Sequence, residues 1–239
     1  MLILAVETSA DLCSYALMDD KGIVEARLFR HRMHLSERII IDIDTMLRDV
    51  GCALKDLSAI AVDIGPGSFM GIRIGLMTAK TWADALSAPL VGVSALEVVA
   101  FPYAEYPNAL VLSLLYARPG YLHTQLFKAI GGELHPLSEP MMRTEAEIAS
   151  DFHERMRNEM VILCGEGVKK TTPEFIPGLK EENDNVVICN PLAPVASSLA
   201  WIARKRLEIG GNHDPMALTP LYLAPPQITI SSKNKNALT

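Results

Sequence analysis

The sequence has few of the features that mark several large classes of protein. Aromatic residues make up 6% of its 239 residues, and its 22 Lys and Arg residues are outnumbered by 28 Asp and Glu, which gives a net charge of −6. Such a surface repels a phosphate backbone. If the protein acts on nucleic acid, a partner protein would therefore have to bind the nucleic acid. No apolar run approaches the roughly 20 residues of a membrane span, and the first run is too short for a signal peptide. We therefore expect a cytoplasmic protein with no membrane association.

Cysteine is also scarce, and common catalytic motifs are missing. The four cysteines are widely spread without C-x-x-C spacing, which favours reduced thiols over a zinc site. Neither common nucleotide-binding glycine loop occurs, nor does the nucleophile elbow of hydrolases. His31 and His34 are spaced to share a metal, but no third ligand lies nearby, so surface histidines are the favoured interpretation. The residues therefore predict no metal site and no catalytic residue.

A repeated order of elements is the strongest pattern that is present. Residues 2–102 read as three short apolar strands, a helix, a strand, a helix, a strand and a helix, and a weaker version of this order follows. The repetition predicts an α/β fold of two similar lobes, each a mixed sheet with helices, of which the second has diverged. We place an N-terminal, partner-binding lobe at 1–102, a C-terminal lobe at 103–225 and a flexible tail at 226–239.

The segment "GPGSFMGIRIG", from Gly65 to Gly75, is open to two interpretations. It joins a buried strand to a helix from about 71 to 86, so its backbone N–H groups could bind an anion. The glycines could equally form a tight turn, with Gly71 and Gly75 on one helix face permitting close contact with another helix. Local chemistry slightly favours the turn.

Several segments together resemble a known family. "LAVETS", "AIAVDIGPGSFMGIRIGLMTAKTWADAL", "PLVGVSALEVVA" and "PLYLAP" are similar to the TsaB (YeaZ) family, in the glycoprotease-like branch of the actin-like, sugar-kinase-like ATPase fold. The similarity is strong over the first hundred residues. It implies two actin-like (ribonuclease-H-like) lobes.

The resemblance also implies a function. Members pair with TsaD, which forms threonylcarbamoyladenosine beside the anticodon of tRNAs reading codons that begin with A, and the ATPase TsaE joins the complex. The catalytic relative has two metal-binding histidines where this chain has Ala95 and Val99. The resemblance therefore implies an accessory subunit without activity alone, which meets tRNA only through the complex. Such a subunit would require no cofactor by itself, although the complex could use ATP and Mg²⁺.

This chain departs at four positions from the pattern of the family that it resembles. It has Glu7 where Asp is usual, Met70 where Thr is usual, Tyr116 where Asp is usual and Ala224 where Arg is frequent. The loss of a carboxylate and an arginine argues against a nucleotide function of the cleft between the lobes. Pairing through the first lobe is less affected.

Two sets of candidate site residues follow. The helix over 36–50 and the helix after the glycine loop would present small and apolar residues to TsaD, or to a second copy when TsaD is absent. One alternative function is an ATP-dependent phosphotransferase of the same fold, which would use the nucleotide-binding residues listed below. The other is a metallopeptidase, against which Ala95 and Val99 argue because neither can bind a metal. The partner-binding set is Ile40, Ile43, Leu47, Gly71, Ile72, Gly75 and Leu76, and the nucleotide-binding set is Glu7, Thr8, Ser9, Gly65, Gly67 and Ser68.

Overall fold

The structure, a computed structural model, describes residues 1–30, 34–189, 193–211 and 213–223. Two mixed β-sheets form its framework, and helices cover them. The first sheet contains β1 (Ile3–Glu7), β2 (Leu12–Asp19), β3 (Gly22–Arg30), β4 (Ala59–Asp63) and β5 (Leu90–Val93). The second contains β6 (Leu110–Arg118), β7 (Tyr121–Ile130), β8 (Glu133–Pro136), β9 (Met141–Arg143), β10 (Val161–Cys164) and β11 (Val186–Ile188). The helices are α1 (Leu35–Asp49), α2 (Phe69–Leu86), α3 (Ala95–Ala100), α4 (Glu145–Arg155), α5 (Phe175–Glu182) and α6 (Ala196–Ile209).

The two sheets share one topology. The first has the strand order β3-β2-β1-β4-β5, in which β1, β2 and β3 pair antiparallel and β4 and β5 continue in parallel. The second has the corresponding order β8-β7-β6-β10-β11, and β9 adds a second partner to β7. The prediction of two similar mixed lobes is therefore confirmed, and β9 is one visible sign of divergence.

Helices α1 and α2 lie together on one face of the first sheet. Alternate residues of the strands, such as Leu4, Val6 and Tyr15, meet the apolar faces of both helices in one buried cluster. This arrangement follows from the period of two in strands and 3.6 in helices, which gives each element one apolar face.

Each lobe's last helix packs against the sheet of the other lobe. α6 covers the second face of the first sheet, where Leu199 and Ala203 meet strand residues such as Ala5 and Val91. α3 packs on the second sheet. The predicted boundary needs correction here, because α6 lies within 103–225 in sequence but completes the core of the first lobe. A pattern of apolar residues shows that a helix has a buried face, but not which sheet covers it.

Helix α5 has no counterpart in the sequence prediction. Pro177 and Gly178 lower the helix propensity of this segment, yet Pro177 lies in the first turn, where its missing N–H is not needed. The predicted tail at 226–239 lies outside the described residues. Among the described helices, none combines the length and apolar character needed to cross a membrane. All four cysteines are free, and Cys13 and Cys164 are buried.

Candidate functional site

A cleft of about 650 Å³ opens between the two lobes. The first lobe contributes the turn after β1, from Ser9 to Leu12, and the loop 66–68 before α2. The second lobe contributes residues 115–117 at the end of β6 and the 3₁₀ turn Glu166–Lys170. The cleft therefore lies where corresponding strands of the two lobes end, as the sequence repeat predicts.

A pair of buried carboxyl groups lies beside this cleft, outside its lining. Glu7 at the end of β1 and Asp63 at the end of β4 are almost completely buried. Ser9 donates to Glu7 Oε1 from its backbone N at 2.7 Å and from its hydroxyl at 2.8 Å, and that hydroxyl lies 3.2 Å from Asp63 Oδ2. The backbone N–H of Gly65 donates to Asp63 Oδ1. This network ties the ends of two neighbouring strands together.

Burial beside Asp63 favours the protonated form of Glu7. Burial raises the pKa of Glu7 well above its ordinary value, and the negative charge of Asp63 raises it further. Burial also raises the pKa of Asp63, but hydrogen bonds from Glu7, Gly65 and Ser9 oppose that increase. Glu7 Oε2 has no hydrogen-bond partner among the described residues, which adds to the cost of ionising this buried carboxyl group. Burial therefore disfavours a charge on Glu7, whose hydrogen bonds tie the end of β1 to Ser9.

The glycine loop packs tightly against the turn after β1. Ser68 caps α2 by accepting from Gly71 N at 3.2 Å, and its own backbone N donates to Ser9 O at 2.6 Å. A Cβ atom placed on Gly67 would lie 2.3 Å from Ser9 O, and Gly65 has a φ of +97°, which glycine adopts without strain. The loop thus needs its glycines for a close backbone approach, in agreement with the turn interpretation.

The structure divides the six predicted nucleotide-binding residues. Ser9, Gly67 and Ser68 line the cleft. Thr8 is buried, and its hydroxyl donates to Gly71 O at 2.8 Å. Glu7, Thr8 and Gly65 are buried outside the cleft lining, so the structure does not bring them into the cleft with the other three.

The second-lobe wall of the cleft carries polar residues that the sequence analysis did not select. Glu166 accepts from Tyr116 N at 3.0 Å, and burial raises its pKa. His123 on β7 is 8% exposed, and burial lowers its pKa to about 4, so it is neutral near pH 7. Lys170 lies 5.8 Å from the centre of the Tyr116 ring. Tyr116, which the sequence analysis noted only as a departure from the family pattern, thus lines the cleft. Ala224, the other such departure, lies outside the described residues.

The two positions where the catalytic relative carries histidines are filled with apolar residues. Ala95 and Val99 are 0% and 5% exposed, and they pack with Phe127 and Ile162 of the second sheet. His34 precedes α1 on the surface, 3.3 Å from Glu37, and His31 lies outside the described residues. Within the part of the chain that the structure describes, no three His, Cys, Asp or Glu side chains are grouped to hold a metal ion.

Most of the predicted partner-binding residues lie inside the first lobe. Ile43, Leu47, Ile72 and Leu76 are at most 3% exposed, because their side chains form the apolar faces with which α1 and α2 pack against the lobe. Their assignment to a partner surface is therefore corrected, and Ile40 alone among the large side chains of that set is exposed, at 55%.

The two glycines of α2 also face inward. A Cβ atom on Gly71 would lie 2.0 Å from Thr8 O, and one on Gly75 would lie 2.2 Å from Thr8 Oγ1. They permit α2 to approach the turn after β1. Their assignment as contacts for a partner is therefore a second correction.

A different set of apolar side chains is exposed on the same two helices. Ile40 and Ile41 on α1, and Met70 and Met77 on α2, are each 55% to 65% exposed. Met70, Arg73 and Met77 recur at helical spacing along the solvent side of α2. We call Ile40, Ile41, Met70 and Met77 the α1/α2 surface.

Comparison with known proteins agrees with the fold and the motifs. Residues 30–177, more than half of the chain, match the family model described as "TsaD: tRNA N6-adenosine threonylcarbamoyltransferase". The chain is 30% identical to the tRNA threonylcarbamoyladenosine biosynthesis protein TsaB of Bacillus subtilis and also to that of Escherichia coli, in each case over 93% of this chain and 94% of the relative. A crystal structure from Pseudomonas aeruginosa, of a protein described as similar to the peptidase YeaZ, superimposes with a TM-score of 0.77 at 23% identity, over 93% of this chain and 99% of that one. The predicted fold of two similar mixed α/β lobes is confirmed, and the chain belongs to the TsaB (YeaZ) family.

Proposed function

We propose that this chain is a non-catalytic partner of TsaD in the formation of threonylcarbamoyladenosine beside the anticodon of tRNAs that read codons beginning with A. The observation that carries the proposal is the α1/α2 surface, which exposes four large apolar side chains on two adjacent helices of a TsaB-family chain. Large exposed apolar side chains on neighbouring helices are typical of a surface that another protein covers.

The site chemistry supports an accessory role. Ala95 and Val99 stand in an apolar cluster where the catalytic relative has metal ligands. Glu7 is buried outside the cleft lining, and burial raises its pKa, so it is poorly placed to bind Mg²⁺ for a phosphotransferase. No observation favours the phosphotransferase or the metallopeptidase alternative.

The remaining parts of the proposal concern the complex. We propose that TsaE joins TsaD and this chain in the cytoplasm, and that tRNA is bound through the complex because this chain is acidic. ATP and Mg²⁺ would act in the complex, and this chain alone would require no cofactor. In the absence of TsaD, the α1/α2 surface could pair two copies.

The test combines reconstitution with a change in the surface. The chain is purified with its cognate TsaD and TsaE, and tRNA modification is measured with each protein omitted in turn. The double variant Met70→Glu/Met77→Glu places charge in the apolar contact, so we expect TsaD binding to weaken by on the order of a hundredfold and modification to fall with it. Glutamate is tolerated at both positions in the free chain because both side chains are exposed.

Ile209→Glu is the matched control. Ile209 is 81% exposed at the end of α6, which covers the opposite face of the first sheet, so TsaD binding should be unchanged. Full modification without this chain would refute the accessory role. Normal TsaD binding by the double variant would instead show that the partner contacts another surface.

A further inference from the structure

Two of the four cysteines lie opposite each other at the ends of neighbouring strands of the second sheet. Cys164 is the last residue of β10, and Cys189 directly follows β11. The two strands pair in parallel, in a register that places Leu163 opposite Ile188. The bond from Cys189 N to Leu163 O, at 3.0 Å, continues the ladder. Cys164 therefore faces Cys189, although the two are distant in sequence.

The side chains of this pair lie on the same face of the sheet. Directly opposed residues of parallel strands point to one face, and both cysteines belong to the apolar cluster between the second sheet and α3. Neighbouring strands lie about 4.8 Å apart, which falls within the range of about 4.4–6.8 Å between the Cα atoms of disulfide-bonded cysteines. The fold thus brings two thiols to a separation at which they can be joined.

The two thiols differ in their access to solvent. Cys164 is 0% exposed, and its Sγ lies 3.8 Å from Ser113 Oγ and 3.8 Å from Leu112 O. Cys189 is partly exposed. Burial raises the pKa of Cys189, but a hydrogen bond from the Tyr103 hydroxyl opposes the increase because it favours the thiolate. A small oxidant in solution would therefore meet Cys189 first.

We propose that Cys164 and Cys189 form an oxidation site, at which a peroxide converts the two thiols into a reversible disulfide. Reduced thiols, as the sequence predicts, remain the resting state, because disulfides of cytosolic proteins are usually transient. The reaction involves only residues of the second lobe and takes place whether or not TsaD is bound, so it does not rest on the proposed function.

The chemistry has two steps. The Cys189 thiolate attacks one oxygen of hydrogen peroxide and the O–O bond breaks, which leaves a sulfenic acid and a hydroxide that takes up the thiol proton to become water. The Cys164 sulfur then attacks the Cys189 sulfur and displaces a second hydroxide, which takes up the Cys164 proton. In sum, two thiols lose two electrons and two protons, and one peroxide becomes two waters. Burial raises the pKa of Cys164 to about 12, so the closeness of the two sulfurs, rather than a large thiolate fraction, promotes the second step.

The sheet geometry also makes the bond easy to reduce. A disulfide holds its two Cβ atoms about 3.5–4.5 Å apart, which is less than the spacing of the strands, so the bond would be strained and labile. It would fix two segments that lead from the sheet to the cleft. Cys164 precedes the cleft wall Glu166–Lys170, and Cys189 precedes residues 193–194, which line the cleft before α6.

Peptide mapping of the oxidised chain tests this site. The full chain is treated with hydrogen peroxide, its remaining thiols are alkylated, and it is digested without reduction for mass spectrometry. We expect one peptide pair joined through Cys164 and Cys189, which dithiothreitol separates. Cys52 is the matched control, because it is also partly exposed but lies in the turn after α1, outside the strand pairs. It should be oxidised without being joined to another cysteine.

Three variants assign the two steps. Cys164→Ala keeps the cluster apolar and should halt oxidation at the sulfenic acid of Cys189, which dimedone traps. Cys189→Ser, at a partly exposed position, should leave Cys164 as a thiol. Tyr103→Phe removes the hydrogen bond that favours the thiolate, so it should slow the labelling of Cys189 by dimedone. Far-UV circular dichroism confirms that each variant is folded.

The outcomes are decisive in both directions. The joined peptide in the wild-type chain, together with its loss in Cys164→Ala and Cys189→Ser, would support the oxidation site. An unreactive Cys189 in the folded chain would overturn it, as would oxidation of Cys189 beyond the sulfenic acid while Cys164 stays a thiol. Disulfides to Cys13 or Cys52 at equal abundance would also overturn it, because they would show that the thiols react without the pairing of β10 and β11.

Discussion

Single residues at the ends of β1 and β4 have structural tasks that their sequence motif does not reveal. "ETS" at the end of the first strand is compatible with a phosphate site, but Glu7 lies in a buried pair with Asp63, where burial raises its pKa. The sequence could not predict this pair, because the two residues lie far apart in the chain and meet only when β1 and β4 pair in parallel.

The protonation of Glu7 makes stability depend on pH. Because folding raises the pKa of Glu7, the folded chain retains a proton that the unfolded chain releases above about pH 4.5. Wild-type stability therefore falls as pH rises from that value toward the raised pKa. Glu7→Gln retains a donor for Asp63 and an acceptor for Ser9 but cannot titrate. We expect its free energy of unfolding to lie within about 1 kcal/mol of wild type near pH 5 and to exceed wild type increasingly at higher pH.

Urea unfolding of both proteins from pH 5 to pH 9 measures this difference. Glu7→Ala serves as the comparison, since it removes the hydrogen bonds and should be less stable than Glu7→Gln at every pH. If wild type and Glu7→Gln showed parallel pH profiles, Glu7 would be ionised in the folded chain.

At the scale of elements, α2 is positioned by its glycines against the turn after β1. The bounds of α1 and α2 were predictable to within about two residues, because apolar spacing and a glycine-rich start are local signals. The direction in which Gly71 and Gly75 face was not predictable. A small residue on a helix permits close approach by any neighbour, and here the neighbour is Thr8 of the same lobe.

Substitution of Gly75 should therefore destabilise the lobe. Gly75→Ala brings a Cβ atom within 2.2 Å of Thr8 Oγ1, and we expect a loss of about 2–3 kcal/mol in the free energy of unfolding. Thr8→Ala removes the opposing hydroxyl, so the double variant should lose less than the sum of the single variants by at least about 1 kcal/mol. Denaturant unfolding measures all three proteins.

Gly178 in α5 is the matched control. No atom lies within 4 Å of a Cβ placed there, so Gly178→Ala should leave stability unchanged or raise it by up to about 1 kcal/mol. Additive losses in Gly75→Ala and Thr8→Ala would mean that α2 and the turn do not restrain each other.

At the scale of the whole molecule, the repeat in the sequence predicted two similar lobes with a mixed sheet in each, but not how the lobes are joined. Apolar runs and their spacing identify elements, whereas the crossing of α3 and α6 depends on contacts between residues distant in sequence. Arg206 of α6, for example, donates to Glu97 of α3 at 2.6 Å. The short strands β8, β9 and β11 also carry too few residues for a clear pattern.

The apolar contact between α3 and the second sheet should not tolerate a histidine. Ala95 is completely buried among residues of the second sheet, so Ala95→His should lower the free energy of unfolding by about 3 kcal/mol or more. Val187→His, at a position 40% exposed on β11, is the matched control and should cost less than about 1 kcal/mol. Tryptophan fluorescence reports Trp82 and Trp201 of the first lobe, and far-UV circular dichroism reports the whole chain. In Ala95→His, the midpoints of unfolding measured by the two signals should shift together. A shift in only one of these midpoints would show that the lobes unfold separately.

The exchanged helices also restrict how the cleft can move. If a single segment of the chain connected the two lobes, the cleft between them would open by rotation about one hinge. Here the start of α3 is fixed to the glycine loop through the bond from Ala95 N to Gly65 O, and the start of α6 is fixed to β2 through the bond from Ala196 N to Ser14 Oγ. Any change in the width of the cleft must therefore bend the chain at both crossings at once.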